Sequence, residues 1–122
     1  MRELGAEMTE VADGYCVIEL PFSGRVAQHN GFFHGGIIGT IADTAGGCAA
    51  FTQFPEGGDP VTLEYKINFL RPAKGDRIVA EGSVLRAGKS VSVARVDVYV
   101  KSAGEERKLC AALQQSVMRA PT

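Results

Sequence analysis

Residues 61–69, VTLEYKINF, alternate without a break: Val61, Leu63, Tyr65, Ile67 and Phe69 fall on one face, Thr62, Glu64, Lys66 and Asn68 on the other. A period of two predicts a half-buried antiparallel strand. GYCVIELPF (14–22) is rich in β-formers and predicts an earlier strand. Between them runs an apolar stretch from Gly36 to Phe54, too long for a typical strand, with isoleucines and alanines at helical spacings. The breaker cluster PEGGDP ends it. Beyond VTLEYKINF, the segments RPAKGD, RAGK and SAGEE separate three more strand-like runs, RIVAEGSVL, SVSVARVDVYV and RKLCAALQQSVM. Each of these turns carries glycine and has a length that suits hairpins or short loops.

The predicted order is strand, one long helix, then a meander of four strands. A lone helix before an antiparallel sheet has to lie on that sheet's apolar face, or neither buries its hydrophobic side. The expectation is an α+β fold, a sheet wrapped round a central helix of about 18 residues and roughly 27 Å. With no repeat or linker, residues 1–122 read as one domain, with the mixed, polar residues 1–13 peripheral.

Composition narrows the function. The 122 residues are 45% hydrophobic and 22% charged with a net charge of −1, so nothing global attracts nucleic acid. The N-terminus lacks the apolar core of a signal peptide, and no apolar run is long enough to span a bilayer, which makes a cytoplasmic, membrane-free protein the expectation. Cys16, Cys48 and Cys110 are far apart among apolar neighbours and read as small buried thiols. Two histidines and no Cys-x-x-Cys leave no zinc set, so no metal is expected.

Asp43 is the oddity, a lone carboxylate inside the apolar helix. Gly36, Gly39, Asp43, Gly46, Gly47 and Ala50 share a stripe at three- and four-residue spacings. Three glycines inside a helix cost roughly 1 kcal/mol each against alanine, and a small-residue stripe admits another backbone or a ligand. Two readings stay open from the residues alone. Asp43 is either a structural carboxylate, hydrogen-bonded to a backbone amide or a partner subunit, or a base or nucleophile in a partly desolvated site. His34-Gly35-Gly36 lies at the predicted helix start, where unpaired N–H groups and the helix dipole suit an oxyanion. Nine residues, about two and a half turns, separate His34 from Asp43. One carbonyl could meet both, provided the loop before the helix folds back.

Other motifs fail on spacing. GSVLRAGKS has five residues between Gly82 and Gly88-Lys89-Ser90 where a P-loop needs four, and a strand follows it. No G-x-S-x-G elbow is present. Arg71, Lys74, Arg77, Arg86 and Lys89 gather at turns, either as solvated hairpin ends or, collectively, as an attractor for a phosphorylated ligand.

HNGFFHGGIIGTIADTAGG (29–47), VTLEYKINFLRPAKGD and VLRAGKSVSVARVDVYV together resemble the hotdog-fold acyl-CoA thioesterases of the phenylacetate-degradation (PaaI) type, over about residues 14–118. The resemblance implies a hotdog fold, dimers or tetramers with active sites at the dimer interface, and acyl-CoA as substrate, with CoA part of that substrate and no separate cofactor. It makes Asp43 the catalytic general base or nucleophile, and Gly35 the amide that polarises the thioester carbonyl. His34 would position that end of the site, and Thr62 would orient the attacking water. Gln28 stands six residues before His34 where many relatives carry Asn, a longer arm ending in the same amide. Gly88, Lys89 and Ser90 fall where relatives bind the nucleotide part of CoA. A hydratase or dehydratase on the same fold pairs a carboxylate with a histidine, and no histidine follows Asp43. A non-catalytic acyl-CoA binder or sensor is the alternative from another class.

Overall fold

The computed structural model describes residues 2–27, 31–55 and 58–121. After a short 3-10 turn at Arg2–Leu4, the chain forms strands β1 (Glu7–Ala12) and β2 (Tyr15–Pro21), helix α1 (Gly35–Phe51), then β3 (Asp59–Phe69), β4 (Arg77–Ala87), β5 (Val91–Lys101) and β6 (Lys108–Ala120). The strands build one six-stranded antiparallel sheet in the order β1-β2-β4-β5-β6-β3. The helix lies across one face of it, as the apolar patterning requires. Ile38, Ile41, Ala42, Ala45 and Ala49 of α1 pack on Cys16, Ile18 and Leu20 of β2, Ile78 and Ala80 of β4, Val96 and Val98 of β5, and Leu113 of β6. Gly82 lets the layers meet closely, since a Cβ there would stand 2.6 Å from the Ala45 carbonyl oxygen.

Three expectations change. The four strands after the helix are not a simple meander: β3 crosses to the far edge beside β6, and only β4, β5 and β6 follow one another. Alternation reports which face of a strand is buried, and it carries no information on which strand lies beside it. At the opposite edge lies β1, from the N-terminal segment, exposed along its whole length. The helix stops at Phe51, short of Phe54: the Thr52 N–H and hydroxyl both return to the last turn, and the same hydroxyl accepts the Gly14 N–H at 2.8 Å, tying the helix end to the β1–β2 turn.

The most consequential change is inside β3. Its pairing with β6 slips between Thr62 and Glu64, so Leu63 is the extra residue of a bulge. Strict alternation puts Thr62 opposite Tyr65, Ile67 and Phe69. Across the bulge the phase switches, and Thr62 joins them on the helix side. Val61 and Leu63 leave that face and stand 41% and 52% exposed.

The cysteines are all free, with Cys16 and Cys110 fully buried and Cys48 half-buried. Burial pushes the Cys110 thiol up to about 11. Cys16 hydrogen-bonds Cys48, which holds the Cys48 thiol down at about 7 against the opposing effect of its burial, and raises Cys16. No helix among the described residues is long and apolar enough to cross a membrane, and no group of three or more His, Cys, Asp or Glu there could hold a metal.

Candidate active site

The start of α1 is fixed by the segment that leads into it. Phe33 is 2% exposed, stacks edge-on against Phe22 and donates its N–H to the Ala73 carbonyl at 2.9 Å. The His34 N–H bonds Val26 O at 2.8 Å. His34 itself, in extended conformation, is the N-cap: its Nδ1 accepts the Gly36 N–H at 2.9 Å, and its carbonyl takes those of Ile37 and Ile38. An accepting Nδ1 carries no proton, so the ring N–H is on Nε2. His34 therefore shapes the helix start, and its Nδ1 is occupied by that task.

These bonds leave one first-turn donor over. Among the described residues no acceptor meets the Gly35 N–H, which points along the positive end of the helix dipole. The ring of Phe69 lies 3.5 Å from where a Gly35 Cβ would be, so that end of the helix abuts the end of β3. One turn on, the Tyr65 hydroxyl is 3.4 Å from the Cβ position of Gly39.

Asp43 is half-buried at the other end of this helix–strand seam. Its Oδ1 accepts the Thr62 hydroxyl at 2.6 Å and the Gln115 Nε2 at 2.8 Å. Among the described residues no donor reaches Oδ2, which is left as the available basic or nucleophilic oxygen. Thr62, which the resemblance makes the residue that orients the attacking water, here donates its proton to the Asp43 carboxylate and accepts from Gln115 Nε2 at 3.2 Å, so towards a water it could act only as an acceptor.

Gln115 was not among the residues expected in the site. A signal for it exists, since Gln115 occupies the same register as Leu113 and Val117 on the apolar face of β6. The glycine stripe also resolves. Gly46 faces the Gln115 carboxamide and Val96, and Gly39 faces Tyr65, so both serve packing inside the chain, whereas Gly47 opens on empty space.

Asp43 follows Gly35 by eight residues of continuous helix, roughly 12 Å. A single carbonyl cannot touch both within one chain. Gln28 lies outside the described residues, as does the part of the preceding loop, residues 28–30, expected to fold back. The Gly88-Lys89-Ser90 turn sits at the Thr62 end of the sheet, where the Ser90 carbonyl accepts the Arg119 N–H at 2.9 Å. Gly88 is obligatory in it, because a Cβ would collide with the Val91 carbonyl, and Lys89 is exposed. A recess of about 440 Å³ on the outer face, lined by Glu64, Lys66, Asn68, Arg95, Gln114 and Ser116 among others, lies on the far side of the sheet from the helix.

Comparison with known proteins agrees with this architecture. The thioesterase superfamily profile matches residues 30–106. A Halobacterium salinarum protein with a provisional esterase name is 35% identical over 100 residues, 78% of this chain, and the chain spans 66% of that relative's length. The medium/long-chain acyl-CoA thioesterase YigI of Salmonella typhimurium is 30% identical over 117 residues, covering 80% of this chain and 73% of that protein. Among solved structures, a thioesterase family protein from Silicibacter pomeroyi superposes with a TM-score of 0.96 at 32% identity, over 100% of this chain and 89% of that one. A variant of the phenylacetic acid degradation protein PaaI from Thermus thermophilus gives 0.83 at 26% identity, over 98% and 96%. The chain belongs to the thioesterase superfamily, and its antiparallel sheet around one helix is the hotdog fold of the PaaI-like members.

Proposed function

We propose that this protein is an acyl-CoA thioesterase that hydrolyses a small, medium-chain or aryl-acyl-CoA thioester to the free acid and CoA. The observation that carries the reading is the Asp43 carboxylate, held through Oδ1 by Thr62 and Gln115 with Oδ2 free. A thioester carbonyl is already electrophilic and a thiolate leaves readily, so one carboxylate and one oxyanion donor suffice. Oδ2 takes a proton from water as that water adds to the carbonyl, or adds itself. Gly35 N–H receives the developing oxyanion. Collapse of the tetrahedral intermediate breaks the C–S bond; in the general-base route the proton taken up by Oδ2 passes to the departing CoA thiolate, and in the nucleophilic route CoA leaves as the thiolate. If Oδ2 has attacked, water then hydrolyses the acyl-Asp43 anhydride.

The 12 Å between Gly35 and Asp43 is bridged in this reading by a second copy of the chain. β3 is an edge strand paired on one side only, with Val61, Leu63, Tyr65 and Phe69 all exposed, an arrangement that invites strand-to-strand pairing. Antiparallel pairing of two β3 strands about a twofold axis sets the Thr62 end of one opposite the Phe69 end of the other. Because Asp43 adjoins Thr62 and Gly35 adjoins Phe69, Asp43 of one copy comes to face Gly35 of the other. The Gly88-Lys89-Ser90 turn, with the exposed Lys89 ammonium, is the proposed contact for the phosphates of CoA.

The test is thiol release from butyryl-, octanoyl- and phenylacetyl-CoA by wild type and Asp43→Asn. Turnover by wild type and a loss of at least about a thousandfold in the variant are expected, equivalent to about 4 kcal/mol of transition-state stabilisation. Equal rates would remove Asp43 from the mechanism, and tight binding without turnover would favour the non-catalytic binder. In a single turnover in ¹⁸O-water, an unlabelled acid product with the label in the Asp43 carboxyl establishes attack by Asp43, since direct addition of water always labels the acid.

A further inference from the structure

Gln115 stands on the helix-facing side of β6 between Leu113 and Val117, a place where a sheet core ordinarily holds an aliphatic side chain, and it is 2% exposed. As packing, the amide is a poor choice on two counts. Its Oε1 is buried with no hydrogen-bond partner among the described residues, so its burial is uncompensated by them. Opposite it the helix has to carry Gly46, because a Cβ there would collide with the carboxamide, and glycine is unfavourable in a helix interior. Both features weaken the fold.

The compensation lies at the nitrogen end. Nε2 donates to Asp43 Oδ1 at 2.8 Å and lies 3.2 Å from Thr62 Oγ1 and 3.3 Å from the Asp43 carbonyl oxygen. Rotating the amide by half a turn would aim Oε1 at the carboxylate, so the charge of Asp43 dictates the orientation and leaves Oε1 stranded. Thr62 alone would secure Oδ1 by one rotatable hydroxyl. With two donors from two strands on the same oxygen, the carboxylate cannot turn about its own bond, and Oδ2 is held outward. Thr62 and Gln115 are the side chains seen to hydrogen-bond the Asp43 carboxylate among the described residues.

We propose that Gln115 is a positioning residue that clamps Oδ1 of Asp43 from the buried side, so that Oδ2 is presented to the thioester or its attacking water. The inference rests on the reading of Asp43 as the reacting carboxylate. It is tested with Gln115→Met, which has similar volume, no donor and no stranded carbonyl. Because the variant loses an unfavourable group together with a favourable one, its urea midpoint should stay near wild type. Its kcat on the best substrate of the acyl-CoA panel should fall at least tenfold with KM within about twofold. A kcat within threefold of wild type, or a loss in proportion to lost stability with KM rising, would overturn the clamp.

A second measurement needs neither turnover nor a variant of Gln115. In ¹H–¹⁵N spectra one Nε2 proton of Gln115 should lie downfield of those of the exposed Gln53 and Gln114, and move upfield in Asp43→Ala. Side-chain amide signals that ignore Asp43 would overturn the clamp even where Gln115→Met fails to fold. If wild type hydrolyses none of the panel, the proposed function fails, and the amide signal alone decides the clamp.

Discussion

Gly46 and Gly47 are adjacent in sequence and in the helix, yet alanine at the two positions should have opposite effects. At Gly47 an added methyl meets nothing within 4 Å, so Gly47→Ala reaps the helix propensity of alanine and stabilises by up to about 1 kcal/mol. At Gly46 the new Cβ would lie 2.6 Å from Gln115 Cδ and 3.0 Å from Val96 Cγ2, deep inside contact distance. The carboxamide must move, and β6 holds its backbone in register with β3 and β5 on both sides. Overpacking of this kind costs about 1–3 kcal/mol, and parting Nε2 from the Asp43 carboxylate forfeits a charge-assisted bond of about 1.5–3 kcal/mol. Set against the propensity gain, Gly46→Ala should destabilise by about 2–4 kcal/mol. Urea unfolding at one fixed protein concentration measures both variants, with a midpoint lower by about 1–2 M for Gly46→Ala and slightly raised for Gly47→Ala, at unchanged slope. Turnover should fall with Gly46→Ala, since it moves the same side chain that holds Asp43. A Gly46→Ala protein as stable as wild type would refute the packing argument. It would mean that the stripe is spared bulk for a ligand or partner rather than for Gln115.

Three further outcomes follow from other parts of the molecule. His34→Ala removes the acceptor of the Gly36 N–H and should lower stability by about 1 kcal/mol in the same urea assay, an unchanged midpoint showing that the ring does not cap the helix. Leu63→Lys places a charge on the exposed β3 edge and should weaken self-association about thirtyfold or more, read by sedimentation, with turnover falling in parallel at low protein concentration. An unaltered association constant would separate β3 from the dimer. Iodoacetamide should label Cys48 before Cys16 or Cys110, with a rate that climbs as pH rises through about 7 and is lost below it. The thiolate is the reactive form, and the hydrogen bond from Cys16 favours it at Cys48. First labelling at the fully buried Cys110 would contradict the structure.

Much of this molecule follows from residue order alone. Apolar spacing between Gly36 and Phe54 required a helix, alternation required strands, and one helix with one antiparallel sheet could bury its faces in only one general way. His34-Gly35-Gly36 and the isolated Asp43 marked the candidate site, because a charge in an apolar helix and amides at a helix start stand out from local context. The alternation in VTLEYKINF, by contrast, misplaced Thr62. A bulge is settled by which register lets both halves of β3 bury their side chains against α1, and that depends on β6, some fifty residues later. Gln115 is marked only faintly: alternation sets it beside Leu113 and Val117 on the apolar face of β6, but that it meets Asp43 depends on where β6 lies against the helix. Strand neighbours, the phase of a bulged strand and the partners of a buried amide are all long-range choices, made by close packing and hydrogen-bond satisfaction among segments far apart in sequence. Only the tertiary structure could make them, and they are what turn a lone Asp43 into a carboxylate with one oxygen held and the other free.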